Sequence, residues 1–273
     1  MAFSIVKDAG EKIWVPVEPA TTIYNGSLVA CDWSAVADGI IPLAAASGIS
    51  NTSNLDIPFG VVLGNNLKTQ LYSATYKTNY ITAVAAGSSH GDATEYAMVD
   101  GVFGKSDHRA MVLVELIKGT NTTIRGNIFN AAVGTAPTLL TATNTSTDGL
   151  GITTNATQFT PVANQATIYC RKGANKGAYR ILDTTSTTVH TWTQAMNHDI
   201  AIGDTFVANH LRYFSTSVMQ LGATVGLWVE ASFTPALNSH YYHVEVERLD
   251  LSVAGQEYVE FRFGGDNFAK VRA

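Results

Sequence analysis

Apolar residues in this chain come in short β-branched or aromatic runs, each cut by Gly, Asn, Asp or Pro, and almost nowhere recur at i, i+3, i+4, i+7 over three helical turns. A chain so punctuated cannot build long amphipathic helices, whereas runs of this length suit half-buried strands joined by tight turns. The reading is a mainly β protein. Strands are expected over 12–17, 27–31, 59–63, 79–85, 96–99 and 111–117 in the first part. Their turns fall at Asn25 and Gly26, Asp38 and Gly39, Gly64 to Asn66, Gly91 and Asp92, Asp100 and Gly101, and Lys118 and Gly119, all residues suited to positive φ or side-chain-closed turns. In the last part, strands at 166–171, 178–182, 187–193 and 205–208 read as a meander, with turns at Gly173 to Gly177 and Asp183 to Ser186. A short helix is expected over 217–224, then a strand at 226–233. The clearest hairpin closes the chain: 241–253, a turn at Ala254 and Gly255, and 257–263. Strict alternation would put His243, Glu245 and Glu247 on one face of it and Val244, Val246 and Arg248 on the other.

At 273 residues the chain has room for one large or two modest domains. Between Arg125 and Arg171 the only charged residue is Asp148, and the stretch is crowded with Thr and Asn. The division expected is an N-terminal β-barrel-like domain at 1–125, a polar uncharged connecting segment at 126–165 and a C-terminal β domain at 166–273. The fold class is thus two antiparallel β-barrel or sandwich-like domains with few short helices. The uncharged segment reads either as strands and loops spanning the halves or as a surface that a partner covers, because uncharged polar groups are less costly to desolvate than ions. On the second reading Thr138, Thr141, Asn144, Thr154 and Asn155 are candidate interface residues.

Only 14% of the residues are charged, so solubility rests on Thr, Ser, Asn and Gly. The net charge of −5 argues against nucleic acid as a partner, which calls for a basic face. The first residues have no apolar stretch behind a basic one and read as a mature cytoplasmic start. No run of some 18 apolar residues predicts a membrane span. Cys31 and Cys170 have no metal-ligand spacing and are expected as two buried, reduced thiols, with a disulfide as the alternative.

Motifs for chemistry are weak. Gly87 to Gly91 fits G-x-S-x-G around Ser89, but a nucleophile elbow needs a helix directly after the serine, and a strand-like run follows, so a turn is the preferred reading. Asp183 with Thr184 and Thr185 lacks the glycine and the second copy of an aspartic-protease dyad and reads as a hairpin turn. His240 and His243 are three apart, which on a strand points them to opposite faces, so a metal shared with Glu245 is the lesser reading. His190 reads as a surface or interface residue. The 173–178 loop lacks the ending of a P-loop. No catalytic residue, metal or cofactor is assigned, and no enzymatic activity is expected. Among four Trp and eleven Tyr an exposed platform for sugar rings is conceivable, but alternation alone does not separate it from core.

The strings Tyr24 to Ala30, Asp38 to Pro42, Ile57 to Leu63 and Asp100 to Phe103 resemble the small β-barrel head-decoration, or cement, proteins of tailed bacteriophages, with their loose pattern of Gly-x-Leu-Val, Pro-x-Gly-Val and a late Gly-Val-Phe. Tyr169 to Gly173, Gly177 to Ile181 and Gly203 to Val207 resemble a β-module of phage virion and fibre proteins. The resemblance implies a capsid decoration protein on the virion surface, assembled in the host cytoplasm. Its partner would be the major capsid protein, and it would be a homo-oligomer, a trimer or a dimer. A tail, neck or fibre component and a glycan-binding β module are the alternatives.

Overall fold

The computed structural model describes residues 3–31, 39–43, 57–84, 95–102, 105–107, 109–128, 139–155, 166–185, 188–209, 211, 215–221, 229–231, 241–265 and 268. Among these residues there are 22 strands and no α-helix, and every strand pairing is antiparallel. The mainly β expectation holds.

A central sheet runs in the order β2 (Ala9–Pro16), β11 (Met111–Ile117), β6 (Ile57–Asn65), β4 (Leu28–Cys31), β5 (Ile40–Pro42). It is buried on both faces, and period-two alternation sorts its side chains. Val29, Val62, Val112 and Val114 face one core together with Ile23 and Ile81, while Leu28, Ala30, Ile41 and Val61 face another. The first core is covered by a three-stranded cap sheet, β3 (Thr22–Tyr24), β8 (Thr78–Thr82), β7 (Leu71–Ser73). Strand β6 runs through Gly64 and Asn65, where a turn was expected. Asn66 just beyond it is buried, because its amide donates to the carbonyls of Ala97 and Arg109, each at 2.8 Å, and accepts from the Met111 N–H, also at 2.8 Å. A paired Asn can thus end a strand inside the core. Asp100 and Gly101, also expected as a turn, lie within β9 (Val99–Val102), which pairs with β10 (Lys105–Asp107).

A terminal sheet forms the wall of the second core: β1 (Ser4–Lys7), β12 (Thr123–Asn127), β22 (Tyr258–Phe263), β21 (Tyr241–Asp250), β19 (Ser215–Leu221), β20 (Val229–Ala231). The expected hairpin is β21 and β22, with Gly255 at φ 74° in its turn. The helix expected at 217–224 is absent from its described part: Ser217 to Leu221 belong to β19, paired along β21, where partner strands outweigh a weak local preference. The expected alternation of β21 breaks at Glu247. Val246 pairs with Phe261 and Arg248 with Glu260, so Glu247 is an extra residue in a bulge, and Arg248 is exposed rather than sharing the face of Val244 and Val246.

The remaining sheet is β13 (Leu139–Thr141), β18 (Thr205–Asn209), β15 (Ala166–Lys172), β16 (Tyr179–Thr185), β17 (Val189–Trp192), β14 (Gly151–Thr153). Its two edges meet at a bridge between Ala142 and Thr154, which closes the sheet into a small barrel. Leu140, Ile152, Ile168, Cys170, Leu182, Trp192 and Phe206 fill the inside, whereas Tyr169 and Val207 point outward into the core of the terminal sheet. Gly173 and Gly177, at φ 124° and 95°, form the expected loop. Asp183 lies inside β16, at a bulge between Leu182 and Thr184, and not in a hairpin turn.

These sheets run across the expected divisions. Strand β12 spans residue 125, β1 and β12 pair into a sheet completed by strands after 215, and β13 and β14 from the uncharged segment are edges of the barrel.

Candidate functional site

The uncharged segment has an internal task. Next to the Ala142–Thr154 bridge, the Thr143 N–H donates to the Thr153 carbonyl at 2.8 Å and the Asn155 N–H to the Thr141 carbonyl at 3.1 Å. The side chains complete the seam: Asn155 Oδ1 accepts from the Thr141 N–H at 2.9 Å, and Asn144 Oδ1 accepts from the Thr153 N–H at 2.7 Å. Short Asn and Thr side chains can mimic backbone partners in this way, which a charged side chain of greater reach would not. Thr154 is buried, its hydroxyl donating to the Thr188 carbonyl at 3.1 Å. Of the candidate interface residues, Asn144 and Asn155 remain exposed and Thr141 half-buried, while Thr138 lies outside the described residues. Asp148 accepts from the Leu150 N–H at 3.0 Å and the Ser146 hydroxyl at 2.7 Å, and these bonds hold its carboxyl below the usual range. The lone charge of the segment thus closes a turn.

His190 is not the surface or interface residue expected, because it is buried within the chain. It is 1% exposed and points into the barrel beside Trp192, its Nε2 3.3 Å from Thr154 Oγ1, and burial pushes its pKa down. Cys170 is inside the barrel and Cys31 half-buried against the first core. Both are free thiols pushed up to about 11 by burial, as expected for structural rather than reactive sulfur.

Two outward faces differ in character. On the terminal sheet, Arg262 pairs with Glu245 at 2.7 Å and with Glu247 at 2.9 Å, and Glu247 also accepts from Thr123 Oγ1 at 2.8 Å. Arg125 pairs with Glu260 and, with Arg248, flanks the Tyr258 ring, their guanidinium carbons 4.4 and 5.4 Å from its centroid. Glu245 and Glu247, two apart on one face of β21, both reach the same arginine, and the bulge at Glu247 brings Arg248 out beside Tyr258. His243, half-buried, is on this strand, but Glu245 is held by Arg262, and His240 lies outside the described residues, as does the Gly87 to Gly91 string. Among the described residues no three His, Cys, Asp or Glu cluster as a metal site would require.

The strands of the cap sheet carry no charged residue, the adjoining charge being exposed Lys77 in the turn between β7 and β8. Its inward residues are Ile23 and Ile81, so the opposite face carries Thr22, Tyr24, Leu71, Ser73, Thr78, Tyr80 and Thr82 by register. The ring centroid of Tyr24 lies 4.7 Å from that of Tyr76 and 5.4 Å from that of Tyr80, and Thr22 and Thr82 share a hydroxyl bond at 2.8 Å. Burial and then the neighbouring phenols raise the pKa of Tyr24. Leu71 and, at the edge, Tyr72 are 40% and 61% exposed. Sequence reading found β8 but had no partner for it, so this cluster could not be assembled from alternation alone. The one legible signal was Tyr on alternate positions to Ile in both strands.

Comparison with protein-family models, curated proteins and solved structures finds no match to this chain.

Proposed function

We propose that the chain is a virion structural protein of the capsid decoration type, a cement protein that binds the assembled capsid surface and bridges neighbouring subunits of the major capsid protein, acting as a homo-oligomer and without catalysis. The observation that supports this reading most is the distribution of charge. Charged groups on the terminal sheet are paired with each other, whereas the outer cap-sheet face and the barrel seam offer hydroxyl, amide and aromatic groups with no ion to desolvate. Tyr-rich, charge-poor patches are the usual composition of an interface centre. A contact of ~800 Å² per copy, repeated over many copies, stabilises a shell by avidity without one strong bond.

The test is pelleting with assembled particles. Wild-type protein should stay bound from low to moderate salt, since few exposed ion pairs form across such a contact. Lys at Thr82 and Leu71 should release it. Wild-type release by moderate salt, or full retention of the Thr82→Lys, Leu71→Lys variant, would move the interface off the cap sheet.

A second reading is favoured by the Tyr24, Tyr76 and Tyr80 cluster itself. Rings framed by Thr hydroxyls suit the apolar face of a neutral sugar, which makes the cap sheet a glycan platform. Glycan-array binding lost in Tyr80→Ala, with particle retention unchanged, would select it over the capsid reading.

A further inference from the structure

We infer that the barrel carries an acid latch: proton uptake by His190 opens the seam closed by β13 and β14 while the central sheet stays folded. The inference is independent of what the chain binds. It starts from the hydrogen bonds of one buried ring. Thr154 Oγ1 donates its only proton to the Thr188 carbonyl, so towards His190 it acts as acceptor, and the imidazole proton therefore resides on Nε2. That leaves Nδ1 as a bare lone pair, and this atom is buried with no partner.

The neutral ring is tolerated there because an unpaired acceptor in an apolar barrel costs far less than a charge. A proton on Nδ1 would create both a buried cation and a donor with nothing to receive it. The described side chains around the ring include no anion. Its register partners are Ile152 on β14 and Thr185 on β16, and Thr154 and Trp192 share the barrel interior with it. Among the described residues no carboxylate acts on its proton affinity, and burial alone lowers it. The ring gains solvation only by leaving the interior, and the cheapest exit is the seam. Strands β13 and β14 are three residues each, joined by the single Ala142–Thr154 bridge and its side-chain bonds. Because the proton affinity is lower in the closed barrel than in an opened one, closure is fully favoured above about pH 6.5. It weakens as pH falls from there towards the depressed value of the closed state.

Hydrogen exchange of the full chain, corrected for the intrinsic pH dependence, tests this at pH 7.5, 6.0 and 5.0. Opening of peptides covering 139–155 and 188–192 should increase below about pH 6.5 by up to about tenfold per pH unit, with β6 and β11 unchanged. His190→Phe should remove that dependence. Equal protection at all three values in the wild type, or the same acid response in His190→Phe, overturns the inference. Should His190→Phe not fold, imidazole nitrogen NMR of the wild type decides. A neutral Nε2–H tautomer titrating below the ordinary range supports the latch, and an ordinary or raised titration refutes it.

Discussion

Single residues in this molecule matter most where polar groups are buried. The barrel docks on the terminal-sheet hairpin through Arg171, whose Nε donates to the Leu251 carbonyl at 2.8 Å and whose guanidinium pairs with Glu257. Tyr179 donates to the Leu249 carbonyl at 3.1 Å. The Glu257 side chain is 2% exposed, so removing its partner leaves a buried charge. Arg171→Met alone should lower unfolding stability by ~3–5 kcal/mol, and adding Glu257→Leu should recover much of that loss, both read by urea denaturation. At the seam, Thr154→Val keeps the shape but strands the His190 N–H, while the Thr188 carbonyl keeps only its bond from the Thr154 N–H at 2.8 Å. A loss of ~1–3 kcal/mol is expected in the same assay, and an unchanged midpoint would contradict the bonding described.

At the scale of elements, the alternation written into β22 was legible because the strand buries every second residue without interruption, whereas β4 and β11, covered on both faces, were legible as short β-branched runs. In β22, Val259, Phe261 and Phe263 are buried and Tyr258, Glu260 and Arg262 face out. What escaped the reading has a physical cause. The bulge at Glu247 shifts the phase of β21 by one residue, and no local residue announces it, since it is set by pairing with β22. Three-residue strands such as β13 and β14 are too short to show a period at all, and the Thr and Asn that flank them resemble loop composition until the partner strand supplies the bonds. The five candidate residues stand out in the sequence by composition, but what Thr141, Asn144, Thr154 and Asn155 bond to is set by closure of the barrel. Glycine offers a sharp test of the central sheet. A Cβ on Gly60 would sit 2.3 Å from Val114 Cγ1 and 2.5 Å from the Glu115 carbonyl, while one on Gly64, in the same strand, meets nothing within 4 Å. Gly60→Ala should cost ~1–3 kcal/mol in thermal unfolding, and Gly64→Ala less than about 0.5 kcal/mol. Equal effects would refute the register of β6 against β11.

For the whole molecule, the sheets tie distant parts of the chain together. The second core draws on Phe3, Leu28 and Val61 as well as Tyr169, Val207, Val246 and Phe261. A fragment comprising 166–273 would lack β1 and β12 from the terminal sheet and β13 and β14 from the barrel. Its melt should be broad and non-cooperative where the full chain unfolds sharply, and a cooperative fragment would contradict the shared core. Fold class was legible at this scale because strand length and turn chemistry act locally, whereas the grouping of strands into sheets depends on pairings over more than a hundred residues, such as β1 with β12. The proposal that the chain cements a shell rests on the outward faces this grouping creates, and the most direct measurement is the temperature at which purified particles, assembled with and without this chain, expose their genome to a DNA-binding dye. Particles lacking it should release at a lower temperature, and adding back purified protein should restore the higher one. Identical release temperatures in both preparations would contradict the cement role.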